Sequence, residues 1–401
     1  MPLNHQLPRP VYGTEEHEML KTSISRYFEN HVNPHRENWE EQGYCDRDAW
    51  LKAGELGLLG ITLDPKYGGM GLDFTFSALL LEEGGRHGAF APAIGMHSDI
   101  VIPYIEQWGS DHLKDKYLPK CASGELIGSL AMTEPDTGSD VQAIKTYAED
   151  KGDHYLLNGS KTFITIGYTC DFSIVACKTD KGQGAKGISL LIVDANLEGF
   201  SRGKPFKKLG LKTSDTCELF FEDVKVPKEN LLGQEGMGFV IMMNELPRER
   251  MTIALSAIGA VRGALEHTLE YTQQRVAFKQ PIAAYQNTQF KLVEVASELE
   301  ILTAFVDRCT DLLKDHKLTP ELASMAKYKA SDMQCAMIDE CLQLFGGYGY
   351  IWEYPIARFY GDARVQRIYG GTNEIMKILI SRSLFSDYYQ QMKIQRAKAK
   401  S

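Results

Sequence analysis

The chain has 401 residues, of which 43% are hydrophobic and 24% are charged, and its formal net charge at pH 7 is −9. This composition is typical of a globular protein of about two to three domains, and it excludes a disordered chain. The acidic balance argues against a nucleic-acid binder, because such proteins need a cationic surface to displace phosphate counterions.

The first stretch, residues 1–129, is predicted to be an N-terminal all-α domain. The segment TEEHEMLKTSISRYFENHV repeats apolar residues at three-and-four spacing, and Thr14 before two glutamates is a typical helix start. A later segment, YIEQWGSDHLKDKYLPK, is predicted to end as a helix against Pro119.

The pattern changes in residues 130–236, which we predict to form a central β domain. Short β-rich runs such as HYLLNGSKTFITIG and CELFFEDVKVP are separated by Gly, Asn and Asp. This spacing indicates an antiparallel barrel or sandwich. No GxGxxG or GxxxxGK[ST] motif follows a strand, so a Rossmann or P-loop nucleotide site is not expected.

Residues 237–401 are predicted to form a C-terminal helical bundle domain. The run MTIALSAIGAVRGALEHTLEYTQQRVAF is strongly periodic, and it carries four small residues that would let helices approach closely. These residues are Ala254, Ala257, Gly259 and Gly263.

The eight cysteines form no CxxC pair and no zinc-ligand spacing with the ten histidines. We therefore predict no metal site and reduced, mostly buried thiols. The first twenty residues lack the apolar core of a signal peptide and are too acidic for a transit peptide. Since no apolar run approaches the roughly 18 residues that span a bilayer, we expect a cytoplasmic protein without a membrane span.

Three clusters interrupt the amphipathic pattern: AMTEPDTGSDVQA at residues 131–143, QLFGGYGYIWEYPIARFYGDAR at residues 343–364, and YGGTNE from Tyr369. In the first, backbone N–H groups of a turn could face a polar ring or a phosphate, although an ordinary Asx/Gly turn has the same composition. In the second, paired glycines after a helix permit close backbone contact, or simply cap the helix.

In this order and spacing, the clusters resemble the sequence signatures of the acyl-CoA dehydrogenase family. The segment KLGLKTSDTCELFFEDVKVP is similar to the usual end of the family's β domain, and NELPRERM and YGGTNEIMK resemble its long-chain branch. The resemblance spans nearly the whole chain. It implies an α+β fold with an N-terminal helical domain, a central β domain and a C-terminal four-helix bundle. It also implies non-covalent FAD and a homotetramer built as a dimer of dimers.

The resemblance assigns FAD contacts residue by residue. Matches within one subunit lie in the first signature, in the strand TFITIG and in the C-terminal turn: Leu130, Met132, Thr133, Ser139, Phe163, Ile164, Thr165, Thr372 and Glu374. Matches that would reach a neighbouring subunit's FAD are Arg275, Phe278, Gln286, Gln343, Gly346 and Gly347. Two positions depart from the family pattern, because Lys279 and Asp136 stand where glycine is usual.

The family reaction is α,β-dehydrogenation of an acyl-CoA thioester, in which a carboxylate removes the α-proton and the β-hydrogen leaves as hydride. Many members carry that carboxylate in a YEGT version of the C-terminal turn, whereas this chain has Gly370 there. A second branch places it in a motif that matches PRERM, at Glu249. We therefore predict Glu249 as the base, with Glu245 and Glu374 as lesser candidates. The alternative for Glu249 is a solvated charge beside Arg250.

Substrate contacts also follow from the resemblance. The backbone N–H of Gly370 would bind the thioester oxygen, Arg250 would organise the charge of the site, Tyr369 would line the acyl entrance, and Ser139 would contact substrate as well as FAD. Ala91 and Gly95 match positions that close the acyl cavity with larger polar residues in medium-chain relatives. Small residues there favour a deep slot for a long-chain or branched acyl group, although close helix packing would need them too.

The sequence thus predicts a long-chain or branched acyl-CoA dehydrogenase of fatty-acid β-oxidation that passes electrons to an electron-transferring flavoprotein. One alternative is an acyl-CoA oxidase, in which reduced flavin meets O₂ directly. Another is a DNA-binding or assembly member of the same fold, against which the acidic balance and the presence of Glu249 both argue.

Overall fold

The structure is a computed structural model that describes residues 9–88, 91–388 and 391–392. Helices occupy the first part, where two π-helical turns, Phe28–Val32 and His97–Val101, interrupt them. The α-helices of this part are α1 (Glu15–Tyr27), α2 (Arg36–Gln42), α3 (Arg47–Glu55), α4 (Phe74–Arg86), α5 (Ile94–Met96), α6 (Ile102–Trp108) and α7 (Asp111–Ser123).

The predicted helix start at Thr14 is confirmed, because its hydroxyl accepts a hydrogen bond from the backbone N–H of His17 at 3.4 Å. The predicted stop at Pro119 is wrong, since α7 continues through this residue to Ser123. A proline inside a helix lacks the N–H that would bond the preceding turn. Complete burial of Leu118 and Cys121 on either side offsets that loss and keeps the last turn helical.

The middle of the chain forms one eight-stranded, largely antiparallel sheet in the order β6-β7-β3-β2-β4-β5-β8, with β1 pairing in parallel with β4. The antiparallel pairing agrees with the short, turn-separated runs of the sequence. The strands are β1 (Gly128–Ala131), β2 (Tyr147–Asp150), β3 (His154–Thr165), β4 (Phe172–Lys178), β5 (Ile188–Asp194), β6 (Phe200–Arg202), β7 (Thr216–Pro227) and β8 (Leu231–Leu232).

Long helices return after the sheet and share one hydrophobic core. A two-residue-per-strand hairpin, β9 (Val276–Ala277) with β10 (Gln280–Pro281), connects the first two of them. The helices are α8 (Gly238–Gln274), α9 (Gln286–Lys314), α10 (Pro320–Phe345), α11 (Pro355–Ala363) and α12 (Asn373–Leu384). The domain boundaries at residues 129/130 and 236/237 stay predictions. The first falls inside β1, and the second lies one residue before α8.

Helices α4 and α8 touch backbone to backbone along a seam of glycines. A Cβ added to Gly259 would lie 2.0 Å from the carbonyl oxygen of Glu82, and one added to Gly263 would lie 2.1 Å from that of Arg86. On the facing helix, a Cβ at Gly85 would lie 2.3 Å from the carbonyl oxygen of Ser256. Any side chain at these positions would overlap main-chain atoms, so the seam requires glycine.

All eight cysteines are free thiols, and only Cys335 is partly exposed. In the described parts of the chain, no helix is long and apolar enough to cross a membrane. Residues 1–8, which contribute to the predicted localisation, lie outside the described residues.

Candidate active site

A cavity of about 650 Å³ lies where the N-terminal helices, the sheet and the C-terminal helices meet. Its volume is in the range of about 300–1,000 Å³ that small-molecule sites occupy. Many of the residues selected from the sequence line it together. They are Gly95, Leu130, Met132, Thr133, Ser139, Phe163, Ile164, Thr165, Glu249, Arg250, Tyr369 and Gly370.

Glu249 lies on α8 with only 7% of its surface exposed. Its Oε1 accepts a hydrogen bond from the hydroxyl of Tyr104 on α6 at 2.9 Å. Burial raises the pKa of the Glu249 carboxyl to about 7, although the Tyr104 hydrogen bond opposes the rise because it favours the charged form. The side chain is therefore not a solvated surface charge, and its pKa suits proton transfer near neutral pH.

Gly370 lies against the face of α8 that carries Glu249. A Cβ at Gly370 would come within 2.4 Å of Cδ1 of Ile253, which follows Glu249 by four residues and so shares its helix face. Gly370 and Gly371 both have left-handed backbones, with φ of +63° and +86°. A side chain at 370 would be strained as well as crowded, so glycine fits this turn.

The lesser carboxylate candidates are placed differently. Glu245 is buried but is not among the residues that line the cavity, and its Oε1 accepts a hydrogen bond from the indole N–H of Trp108 at 2.7 Å. Glu374 is exposed in the first turn of α12. Two further carboxylates, Asp140 and Asp362, do line the cavity. Asp140 is exposed, whereas Asp362 is half-buried and accepts a hydrogen bond from the backbone N–H of Leu211.

One wall of the cavity suits a planar aromatic group. Where β3 pairs with β7, the register shifts between Lys161 and Ile164, and Phe163 there has a φ of +59° and an exposed fraction of 66%. A phenylalanine with a left-handed backbone is uncommon and often marks a functional segment. Buried polar atoms without a partner, Oε1 of Gln334 and Nε of Arg250, belong to residues of the same cavity. These features fit a flavin ring with polar edges.

The signature loop after β1 is fixed from beneath by Lys161. This lysine is fully buried, and its Nζ donates to the carbonyl oxygen of Met132 and to Oε1 of Glu134, each at 2.9 Å. Asp136, one of the two departures from glycine, lies in the turn that backbone bonds between Glu134 and Thr137 close. It pairs with Lys145 at 2.7 Å on the surface. The turn therefore accommodates an aspartate.

The residues expected to reach a neighbouring subunit's FAD do not line the main cavity. Arg275, Gln343, Gly346 and Gly347 line a separate groove of about 500 Å³. Phe278 nearby is 93% exposed, and Gln286 is the exposed first residue of α9. Lys279, the second departure from glycine, has a φ of +71°. This left-handed backbone is the conformation that a glycine would adopt without strain.

Ala91 requires a correction. It is 1% exposed and packs in the N-terminal hydrophobic core, and it is not among the residues that line the cavity. Ala91 precedes α5, which begins at Ile94 and carries Gly95. Gly95 does line the cavity, and a Cβ there would lie 2.5 Å from Cδ2 of Leu81.

The remaining residues of the C-terminal turn have structural contacts. The Tyr369 hydroxyl donates to Oε1 of Gln366 at 2.8 Å. Thr372 caps α12 by accepting the N–H of Ile375 at 3.3 Å, and neither Thr372 nor Glu374 is among the cavity-lining residues. Arg250 donates to the Ser324 hydroxyl at 3.2 Å.

Sequence reasoning missed Tyr104, Gln334 and Asp362. Tyr104 lies in an apolar helix and meets Glu249 across 145 residues of chain, so no local pattern identifies it. Gln334 gave a weak signal, because it is a polar residue on the buried face of α10. Asp362 lies inside the second sequence cluster and could have been considered there.

Comparison with known families and proteins covers the same length of chain. Models described as the N-terminal, middle and C-terminal domains of acyl-CoA dehydrogenase match residues 14–125, 129–224 and 236–385. A mouse protein named "Long-chain specific acyl-CoA dehydrogenase, mitochondrial" is 46% identical over 376 residues, which are 93% of this chain and 87% of that protein.

Solved structures give the same picture. The acyl-CoA dehydrogenase from Geobacillus kaustophilus is 44% identical and superposes with a TM-score of 0.90, covering 92% of this chain and 98% of its own. A structure from Bacillus anthracis, titled as an acyl-CoA dehydrogenase complexed with FAD, is 35% identical with a TM-score of 0.88. The match covers 95% of this chain and 70% of that one.

Proposed function

This chain belongs to the acyl-CoA dehydrogenase family, and we propose that it oxidises long-chain or branched acyl-CoA thioesters with Glu249 as the base. The chain is an oxidoreductase that acts on CH–CH bonds with FAD as cofactor. One observation carries the assignment of the base: Glu249 is a buried carboxyl with a raised pKa, in the cavity that Gly370 also lines.

Glu249 in its ionised form removes the proton from the carbon next to the thioester carbonyl. Its pKa of about 7 makes it a stronger base than an ordinary glutamate while leaving it ionised above neutral pH. FAD, when bound, would supply the acceptor for the β-hydrogen, which leaves as hydride. Two segments that border this cavity would hold the flavin ring. One contributes Phe163, Ile164 and Thr165, and the other contributes Met132 and Thr133.

The thioester oxygen gains negative charge as the α-proton leaves, so a donor must meet it. The backbone N–H of Gly370 is the donor we propose, since replacement of the family's glutamate by glycine leaves this group in place. Arg250, buried and lining the cavity, adds positive charge near the developing anion.

The acyl chain would run into the part of the cavity between α4 and α8. Gly84 on α4, Gly88 just beyond its end, and Ser256 and Ala260 on α8 line this part, and Gly95 borders it beside Leu81. Small residues leave length for a long acyl chain, and each additional buried CH₂ contributes about 0.8 kcal/mol of binding.

For partners, we propose an electron-transferring flavoprotein as acceptor and a homotetramer built as a dimer of dimers. The exposed groove around Arg275 supports the second proposal. Its guanidinium and the paired glycines Gly346 and Gly347 would suit the diphosphate of a neighbouring subunit's FAD. Eight free, mostly buried thiols support a reducing compartment such as the cytoplasm.

The decisive experiment is Glu249→Gln in the FAD-loaded protein, followed by anaerobic mixing with a long-chain acyl-CoA. We expect the variant to bind FAD and acyl-CoA but to leave the flavin unbleached, because an amide cannot accept the α-proton. Glu245→Gln is the matched control, since Glu245 is a buried glutamate one turn earlier on α8, and it should still bleach. Bleaching by Glu249→Gln at the wild-type rate would refute the assignment.

Two further measurements on the wild type separate the alternatives. Peroxide release under air that outpaces reduction of an acceptor flavoprotein would identify an oxidase. Bleaching compared across short, long and branched acyl-CoAs would identify the substrate class.

A further inference from the structure

Lys327, on α10, is a buried cation beneath the turn that carries Gly370. None of its side-chain surface is exposed, and its Nζ donates to the carbonyl oxygen of Gly371 at 2.8 Å and to Oδ1 of Asn373 at 2.9 Å. Burial, followed by the nearby charge of Arg250, lowers the pKa of the Lys327 ammonium to about 8.

The environment of Lys327 differs from that of Lys161, which is also fully buried. Lys161 pairs with the carboxylate of Glu134 at 2.9 Å. Within the ranges that the structure describes, no carboxylate oxygen lies within 4.0 Å of the Lys327 ammonium. Burial of a cation without a close counter-ion costs free energy, and such groups concentrate at functional sites.

The turn above Lys327 contains two consecutive glycines, Gly370 and Gly371, each with a left-handed backbone and neither with a side chain that could hold it in place. Upstream, Tyr369 is held by its N–H to the Val365 carbonyl oxygen at 3.2 Å and by its hydroxyl bond to Gln366. Downstream, Lys327 holds the carbonyl of Gly371. Hydrogen bonds therefore hold the chain at Tyr369, before the two glycines, and at the carbonyl group of Gly371.

Asn373 extends the downstream anchor into α10. Its Nδ2 donates to the hydroxyl of Ser331 and to Oδ1 of Asp332, each at 3.0 Å. Lys327 therefore joins the main chain of the turn, through Gly371, to a side-chain network on a rigid helix.

We propose that Lys327 is a positioning residue for the reaction, which holds the Gly370–Gly371 turn so that the Gly370 N–H keeps one orientation toward the thioester oxygen. The proposal rests on the proposed function for the role of that N–H. It adds that the N–H is effective only because an ammonium on another helix fixes the next peptide unit.

The first test is amide hydrogen exchange in the FAD-loaded Lys327→Met variant, whose side chain keeps most of the length but has no donor. The reporters are the N–H groups of Ile375 and Met376, which donate to the Thr372 hydroxyl and carbonyl oxygens. Loss of a hydrogen bond from a charged group should raise their exchange by roughly 10- to 100-fold. Wild-type exchange at both amides would overturn the proposal, whatever reaction the protein catalyses.

The second test measures the chemical step per bound flavin. Misplacement of an oxyanion donor should lower kcat of Lys327→Met by roughly 10- to 100-fold. KM should change little, and the isotope effect from deuterium at the substrate α-carbon should increase. A merely structural lysine would instead lose flavin or thermal stability and leave kcat per flavin and the isotope effect unchanged, which would also overturn the proposal.

Lys329→Met is the matched control, because it makes the same substitution at an exposed lysine two residues further along α10; it should retain the wild-type isotope effect. Should Lys327→Met fail to fold, Asn373→Ser removes the second acceptor of the ammonium and is measured in the same way. A smaller rise in exchange is expected there, and no rise counts against the proposal. Failure of Glu249→Gln to stop bleaching would instead overturn the proposed base and leave the exchange result standing.

Discussion

Tyr104 on α6 donates a hydrogen bond to Glu249 on α8, with 2.9 Å between the phenolic and carboxylate oxygens. The two residues come from separate parts of the chain, so the carboxyl is held by the N-terminal helices as well as by its own. The bond favours the ionised carboxylate and partly offsets the effect of burial on the pKa of Glu249.

Replacement of Tyr104 by Phe should raise the pKa of Glu249, because it removes the donor and leaves the burial. The acidic limb of kcat/KM against pH should move to higher pH by about one unit, since a hydrogen bond to a charged group contributes at least that much. The measurement is a pH series of flavin reduction under anaerobic conditions. An unshifted limb would show that a group other than Glu249 titrates there.

The free energy of unfolding should also depend on pH through the raised pKa of Glu249. The pKa of Glu249 is about 7 in the folded protein against an ordinary 4.5, so the folded state binds the proton more tightly. Raising the pH from about 4.5 to about 7 therefore disfavours folding. Glu249→Gln should stabilise the FAD-loaded protein by about 2–3 kcal/mol more at pH 8 than at pH 5.

Denaturant unfolding at the two pH values, with FAD fixed in excess, measures this difference. Glu374→Gln is the control, because Glu374 is exposed and hydrogen bonds from its own backbone N–H and from Thr372 lower its pKa. This variant should show no gain at pH 8. An equal effect of both substitutions would contradict the origin of the pKa shift in burial.

Gly95→Val should shorten the acyl slot, because the new side chain would meet the end of Leu81 and reach into the cavity. The ratio of kcat/KM for long over short acyl-CoA should fall roughly tenfold, at about 0.8 kcal/mol for each excluded CH₂. Ala91→Val is the comparison, since Ala91 packs in the N-terminal core. It should lower stability by about 1–3 kcal/mol without changing the ratio. A shift of the ratio by Ala91→Val would reverse these two placements.

Moving the carboxylate should partly restore a protein that lacks it. Glu249→Ala combined with Gly370→Glu should bleach flavin faster than Glu249→Ala alone, if both positions serve one substrate carbon. The new Cβ would lie 2.4 Å from Cδ1 of Ile253, so adding Ile253→Val, which deletes that atom, should increase recovery. Glu249→Ala with Ile253→Val alone should remain inactive, and recovery in it would rule out the moved carboxylate as the cause.

Local pattern was sufficient for the order of helices and strands and for the cap at Thr14, because each depends on residues close in sequence. It failed at Pro119, where buried neighbours sustain a helix that proline alone would end. The match of Ala91 to a cavity position also failed, because Ala91 precedes α5 and packs in the N-terminal core.

The residues of the candidate site also fall into those that the sequence could identify and those that it could not. The lining residues of the first signature and of α8 could be selected by resemblance, since their order along the chain is distinctive. Tyr104 and Lys327 could not, because their partners lie 145 and 44 residues away and the bonds exist only after packing. Lysine 327 left one trace, a charged residue among the small and apolar positions of α10 that are buried.

The glycine seam between α4 and α8 limits how this protein can change its substrate. Since Gly85, Gly259 and Gly263 already bring main chains into contact, the two helices cannot move closer there, and bulk at the seam would push them apart. The width of the proposed acyl slot is consequently set by backbone, whereas its depth is set by individual side chains. Evolution or engineering can therefore adjust how many carbons enter in single steps, but admitting a thicker chain would require rebuilding both helices together.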